Sequence, residues 1–218
     1  MRRLAALGAL LLVAVVLGVA QLVLPGIAER SLRDRLARSG QVLAVHVHAF
    51  PAIELLWHHA DSVVVRLGRY HSTPGRLASL IDQAGDVGSL SASAAELDTG
   101  LLTLRDATLH KHGNQLTGNA LVSEADLRTA LPVLQQVTPL ASADGRLIFR
   151  GTATLFGVTA SADATVSAVG GALIVQPDIP FGALATIRVF SDPHLEVQSI
   201  GASPTATGFS VRATGRLN

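Results

Sequence analysis

The sequence predicts an α+β protein: an N-terminal transmembrane helix, then a strongly curved antiparallel β-sheet packed around one or two helices. Three observations predict it. Apolar and polar residues alternate with period two along most of the chain after residue 40, the pattern of strands with one covered face. Helical spacing is confined to a few short stretches. One apolar run, Leu4 to Leu24, stands at the start, 21 residues whose only strongly polar member is Gln21.

That run, as a helix, is about 31 Å long at 1.5 Å per residue, enough for one bilayer core. It is longer than the ~7–15 apolar residues of a cleavable signal. The expectation is an uncleaved anchor over residues 1–25, with a cleaved signal as the alternative. Pro25-Gly26 is expected to end it. Ala28, Leu32 and Leu36 then recur at i+4 with arginines opposite, predicting an amphipathic connecting helix within residues 26–40. Arg30, Arg33, Arg35 and Arg38 outnumber Arg2 and Arg3, which taken alone favours a cytosolic body. The first two abut the apolar run directly, and a long domain translocates regardless of charge. The expectation is therefore a single-pass protein of the cytoplasmic membrane with its body on the extracytoplasmic, periplasmic side.

Residues 41–218 read as one domain. Leu43, Val45, Val47 and Ala49 share a face, with His46 and His48 opposite. Val63, Val65 and Leu67 form a second run. Leu116, Gly118, Ala120 and Val122 form another, as do Phe209, Val211 and Ala213. Leu147, Phe149, Ala153 and Leu155 continue the pattern, and the parity flips at Phe156-Gly157 so that Val158 to Ala168 present their even positions. Val169-Gly170-Gly171-Ala172 reads as a two-residue hairpin turn, since paired glycines supply positive φ. Ser123-Glu124-Ala125-Asp126 is a near capping box leading into Leu127, Ala130, Leu131 and Leu134, a helix that Pro132 breaks or kinks. Pro51 to Trp57 is a proline-started turn or short helix, and Leu77, Leu80 and Ile81 hint at another.

The chain has 218 residues, 49% hydrophobic and 15% charged, too apolar for disorder. Net charge is +1 and the body after residue 25 is near neutral, which argues against nucleic acid as a partner. The absence of cysteine removes disulfides, thiol catalysis and thiolate metal sites. No nucleophile elbow, H-E-x-x-H, P-loop or dinucleotide fingerprint is present, so no enzyme and no cofactor is expected. His46-x-His48 and His110-x-His112 each place two imidazoles on one side of a strand, the arrangement two facing strands need to hold zinc. Both pairs fall on the polar parity, so an exposed face is expected there, with no metal site.

The order of features resembles the LmeA-like family of actinobacterial envelope proteins, described as phospholipid-binding. An apolar helix leads through a charged one into Val42-Leu43-Ala44-Val45-His46-Val47, then Ala49-Phe50-Pro51, Leu55-Leu56 and Ser62-Val63-Val64-Val65. Leu121 to Leu127 takes a strand into a helix. Paired strands surround Asp144-Gly145-Arg146-Leu147 and Gly170-Gly171-Ala172-Leu173. The chain ends on Gly208-Phe209-Ser210-Val211-Arg212-Ala213-Thr214-Gly215. The resemblance covers most of residues 26–218. It implies a fold like the tubular lipid-binding domains, in which a curved sheet wraps a helix around an apolar groove. It implies a lipid-holding envelope protein without catalytic residues; one branch of the family is linked to building mannosylated lipids. The histidines of the first strands and the alanine-rich strand at 160–168 depart from that pattern.

An apolar chain of alternating strands without catalytic motifs must place its apolar surface somewhere, and a sheet around a cavity does so. The expected partners are phospholipid or another acyl lipid and the membrane. The expected lining is Val45, Val47, Val63 and Val65, with Phe50, Leu55, Leu56 and Trp57 and the helix of Leu127, Leu131 and Leu134 closing the groove or forming its mouth. The alternative is a non-catalytic envelope scaffold with a filled core that binds a protein partner.

Overall fold

The computed structural model describes residues 21, 23–50, 55, 59–73, 79–80, 82–100, 102–130, 136–143, 146–155, 158–178, 186–190 and 193–218. Helix α1 covers 23–37. Strands β1 (Gly40–His48), β2 (Ala60–His71), β3 (Val87–Asp98), β4 (Thr103–His112) and β5 (Gln115–Ser123) follow, then helix α2 (Glu124–Ala130). The remaining strands are β6 (Gln136–Ala143), β7 (Arg146–Leu155), β8 (Val158–Val169), β9 (Ala172–Asp178), β10 (Ile187–Phe190), β11 (Leu195–Thr205) and β12 (Gly208–Leu217).

The protein is β-rich with few helices, as the alternation predicts, but the expected single antiparallel curved sheet is replaced by two open ones. The first has seven strands in the order β1-β2-β3-β4-β5-β12-β11, the second five in the order β10-β9-β8-β7-β6. Neither closes on itself. The sheets meet through β11, an edge strand of the first that also touches β6, β7, β8 and β9. Its Val197 N–H donates to the Gly171 carbonyl at 3.0 Å. One pair, β2 with β3, is parallel. A parallel pair needs a crossover instead of a tight turn, and residues 72–86 supply it. They include a helical turn in which Ala84 N–H donates to the Leu80 carbonyl at 3.1 Å.

Cross-strand register turns the period-two pattern into two chemically distinct faces. One row of the first sheet runs Val45-Val65-Ala92-Leu109-Gly118-Ala213-Ile200, and the next runs Val47-Val63-Leu90-Lys111-Leu116-Gly215-Val197. The rows between them, on the other face, are His46-Val64-Ser91-His110-Thr117-Thr214-Ser199 and His48-Ser62-Ser89-His112-Gln115-Arg216-Glu196. Leu43 departs from its expected face: it is 58% exposed while Val45 is 0% exposed. Irregular register between Gly40 and Val42 and between Val42 and Ala44 shifts the parity there, as a bulge does.

Helix α1 lies on the apolar face of β1 to β3. Leu32 and Leu36 pack on Val45, Val63 and Val65. The sequence predicts a break at Pro25-Gly26, yet the helix runs through both residues. Proline forfeits only its own bond to residue 21, and burial of the following apolar stripe holds the helix. Glu29 accepts from Val47 N–H at 3.0 Å, satisfying a donor of edge strand β1. Among the described residues no helix is long and apolar enough to cross a membrane. Most of the expected span, residues 1–20 and 22, lies outside them.

Two local expectations agree with the structure. Gly170 (φ 56°) and Gly171 (φ 77°) form the hairpin turn between β8 and β9, with Val169 paired to Ala172. Ser123 Oγ accepts from Asp126 N–H at 3.1 Å and so caps α2, whose described turns end at Ala130, two residues before Pro132. Residues 156–157 lie outside the described residues, but Leu155 pairs with Val158 across them.

Candidate functional site: an apolar trough on the first sheet

Val45, Val47, Val63, Val65 and Leu55 come together in one cluster with Leu32, Leu36, Ala60 and Tyr70. In this arrangement they meet the side chains of α1 in place of an open groove. Val45 keeps no accessible surface, and Val63 and Val65 keep 7% each. Phe50 is separate from them and 72% exposed. Leu56, Trp57, Leu131 and Leu134 lie outside the described residues; Leu127 is in α2, with its side chain outside them.

The cover that α1 provides stops at β3. Beyond it the same apolar face continues across β4, β5, β12 and β11 with Leu109, Gly118, Ala120, Val211, Ala213 and Ile200, all only half-buried. The residues at both ends of this stretch are buried: Lys111 and Leu116 at one, Val122 and Phe209 at the other. The floor is therefore a shallow apolar trough. Small residues make it. Gly118 has only Thr108 O and the tip of Leu109 within 4 Å of where a Cβ would stand, at 3.8 and 3.9 Å. Gly118, Ala120 and Ala213 project little above the backbone, so surface remains for an apolar occupant between the α1-covered half and the β11 edge. The alternation of residues 116–122 and 209–213 identifies this face in the sequence. That, among the described residues, the cluster of α1 reaches no further than β3 is visible only in the tertiary structure.

Lys111, the chain's single lysine, interrupts the apolar row between Leu90 and Leu116. It is 4% exposed, and its Nζ donates to the carbonyls of Gly85 (3.3 Å) and Val87. Burial holds its pKa below the ordinary lysine value, and the charge of Asp86 opposes that shift. A lysine at the apolar parity of its strand, two residues after Leu109, is the sequence signal for this end of the trough, and sequence reasoning missed it. Its carbonyl partners tie the end of the β2–β3 crossover to β4.

The opposite face carries the histidines. His46 and His110 occupy one row, His48 and His112 the next, but β2 and β3 stand between β1 and β4. Three strand spacings separate the pairs by about 14 Å, too far for one ion. His110 Nδ1 is 3.3 Å from Ser91 Oγ, and His46 Nδ1 is 3.9 Å from Glu29. Among the described residues no three His, Asp or Glu side chains form a metal-binding group. Elsewhere, His71 Nδ1 lies 3.0 Å from Asp98, whose pKa is lowered by the Gly100 N–H and then by His71.

The second sheet presents a polar face with a cavity of about 460 Å³ lined by Arg146, Thr165, Ser167, Ile174, Gln176 and Asp178 among others. Next to it Arg150 grips Asp163 in a two-pronged pair, at 2.7 and 2.9 Å, which holds the Asp163 carboxyl below its usual range. The lining mixes these polar groups with Ala168, Val169 and Pro177.

A family model described as LmeA-like phospholipid-binding matches residues 15–214. No curated protein matches the chain.

Proposed function

Because the chain belongs to the LmeA-like phospholipid-binding family, we propose that it is an exported, membrane-anchored protein of the bacterial cell envelope that sequesters or transfers phospholipid, in support of lipoglycan or envelope biogenesis. Family membership carries the reading. The trough supports it: acyl chains over Gly118, Ala120 and Ala213 would gain ~0.8 kcal/mol for each buried CH₂.

The trough reading is tested by parity. Ala213→Trp fills the trough, whereas Arg212→Trp places the same side chain on the polar face one residue away. Purified full-length protein is expected to carry phospholipid in native mass spectra. Ala213→Trp is expected to weaken binding of fluorescent phospholipid about tenfold, the equivalent of two methylenes of lost burial. Arg212→Trp is expected to leave it unchanged, with both variants melting near wild type. Equal effects of the two variants would place the lipid elsewhere.

Topology has its own test. An alkaline phosphatase fused after residue 218 is expected to be active, and an inactive fusion beside a fluorescent cytosolic one would overturn export. One observation favours a second reading. The cluster beneath α1 is filled by protein, as a scaffold module requires, and folded protein that neither co-purifies with lipid nor takes it up would select that reading.

A further inference from the structure

We infer that one end of the first sheet, marked by Phe50, Val23 and Ile27, rests on the lipid bilayer and orients the trough against it. The inference builds on the membrane-anchored reading above. The three side chains are 72%, 49% and 54% exposed. Val23 and Ile27 stand one turn apart on the solvent face of α1, opposite the face that carries Leu32 and Leu36 to the core. Gln21 Nε2 donates to the Ala49 carbonyl at 3.2 Å, which sets the start of α1 beside the end of β1. Phe50 is fixed at that end, its N–H donating to Asp61 Oδ2 at 2.7 Å.

The occupant follows from the chain itself. The apolar run Leu4 to Leu24 includes Val23, at the start of α1, and that start stands beside the end of β1. The β1–β2 connection leaves and returns here, because His48 pairs with Ser62, and it begins Phe50-Pro51-Ala52-Ile53. Exposed apolar side chains far apart in sequence, Val23 and Phe50, thus stand at one end. Along α1 the exposed residues then change from Val23 and Ile27 to Arg30, Ser31 and Arg33. At 1.5 Å per residue that change falls within about 5 Å of Ile27, the step from acyl chains to anionic headgroups. Lys111 and Leu116, which bound the trough at one end, lie toward this same end of their strands. The trough therefore has one end toward the membrane.

The chain has no cysteine, so Phe50→Cys and Val169→Cys each introduce a single thiol for an environment-sensitive dye. Val169 is 56% exposed, at the β8–β9 turn of the second sheet, and serves as the comparison. The full chain is reconstituted in phosphatidylcholine–phosphatidylglycerol vesicles. The dye at position 50 is expected to shift to the blue and to be quenched by nitroxide-bearing lipid; the dye at position 169 is expected to stay in water. Quenching at 50 no stronger than at 169 overturns the inference. A blue shift without lipid quenching also overturns it, since protein would then cover the site. Lipid counted in the same samples separates this from the functional reading. Bound lipid with an unquenched position 50 overturns docking alone; quenching without bound lipid supports docking and overturns lipid holding.

Discussion

Val45→Asp is expected to lower the melting temperature of the detergent-solubilised full-length protein by on the order of 10 °C. Among the described residues Val45 is the largest apolar side chain with no accessible surface, held between the sheet and Leu32 and Leu36 of α1. A carboxylate there has no partner within the cluster, and an uncompensated buried charge costs about 3–5 kcal/mol, against a total stability of about 5–15 kcal/mol. For a domain near 200 residues each kcal/mol moves the midpoint by about 2–4 °C. Val45→Ala separates charge from packing: it removes two methyl groups, ~0.8 kcal/mol each before any cavity term. The acid variant should also melt at lower temperature as pH rises. Its carboxyl pKa is raised in the folded state, so its destabilisation grows above the unfolded-state pKa. A Val45→Asp protein that melts within a degree or two of wild type would mean that α1 does not cover this position in solution.

Gly208→Ala is expected to lower the melting temperature by several degrees. A Cβ at Gly208 would overlap the Val122 carbonyl and come within 2.7 Å of Ser123 Cα, both backbone atoms that no rotamer change can move. Gly208 pairs with Ser123, the residue that caps α2, so relief of the clash must shift the end of β5 or the start of that helix. Overpacking of this kind costs about 1–3 kcal/mol. Gly118→Ala is the internal comparison: it also lies in a paired strand, but its nearest neighbours stand 3.8 and 3.9 Å away, in ordinary contact. Gly118→Ala should melt near wild type while Gly208→Ala melts several degrees lower. Equal melting of the two would remove the argument from close approach.

The Gly208-to-Gly215 ending is one of the motifs that carried the family resemblance, and the structure gives its two terminal glycines a physical reason. Gly208 passes against β5. Gly215 passes against β11, where a Cβ would stand 3.0 Å from the Glu196 carbonyl. Strand β12 lies between those two neighbours, with no room for a Cβ at Gly208 and a tight fit for one at Gly215.

What the sequence by itself determined is local. Period two assigned most strand residues to a face, and apart from Lys111 the rows from Val45 and Val47 hold only apolar residues and glycine across seven strands. Gly170-Gly171 specified a turn because both residues need positive φ, and Ser123 specified a helix start because its hydroxyl satisfies a backbone donor. The tertiary structure decided everything that depends on which distant segment meets which. Alternation is the same for a parallel and an antiparallel neighbour, so the β2–β3 pairing was not legible, nor was the division into two sheets. Pro25-Gly26 reads as a break because propensity counts only near neighbours; packing of Leu32 and Leu36 on the sheet overrides it. For the same reason Val45 and Gly118, which share one row and one parity, differ in fate. Helix α1 reaches the first and stops short of the second, leaving a filled core on one half of the face and an apolar trough on the other.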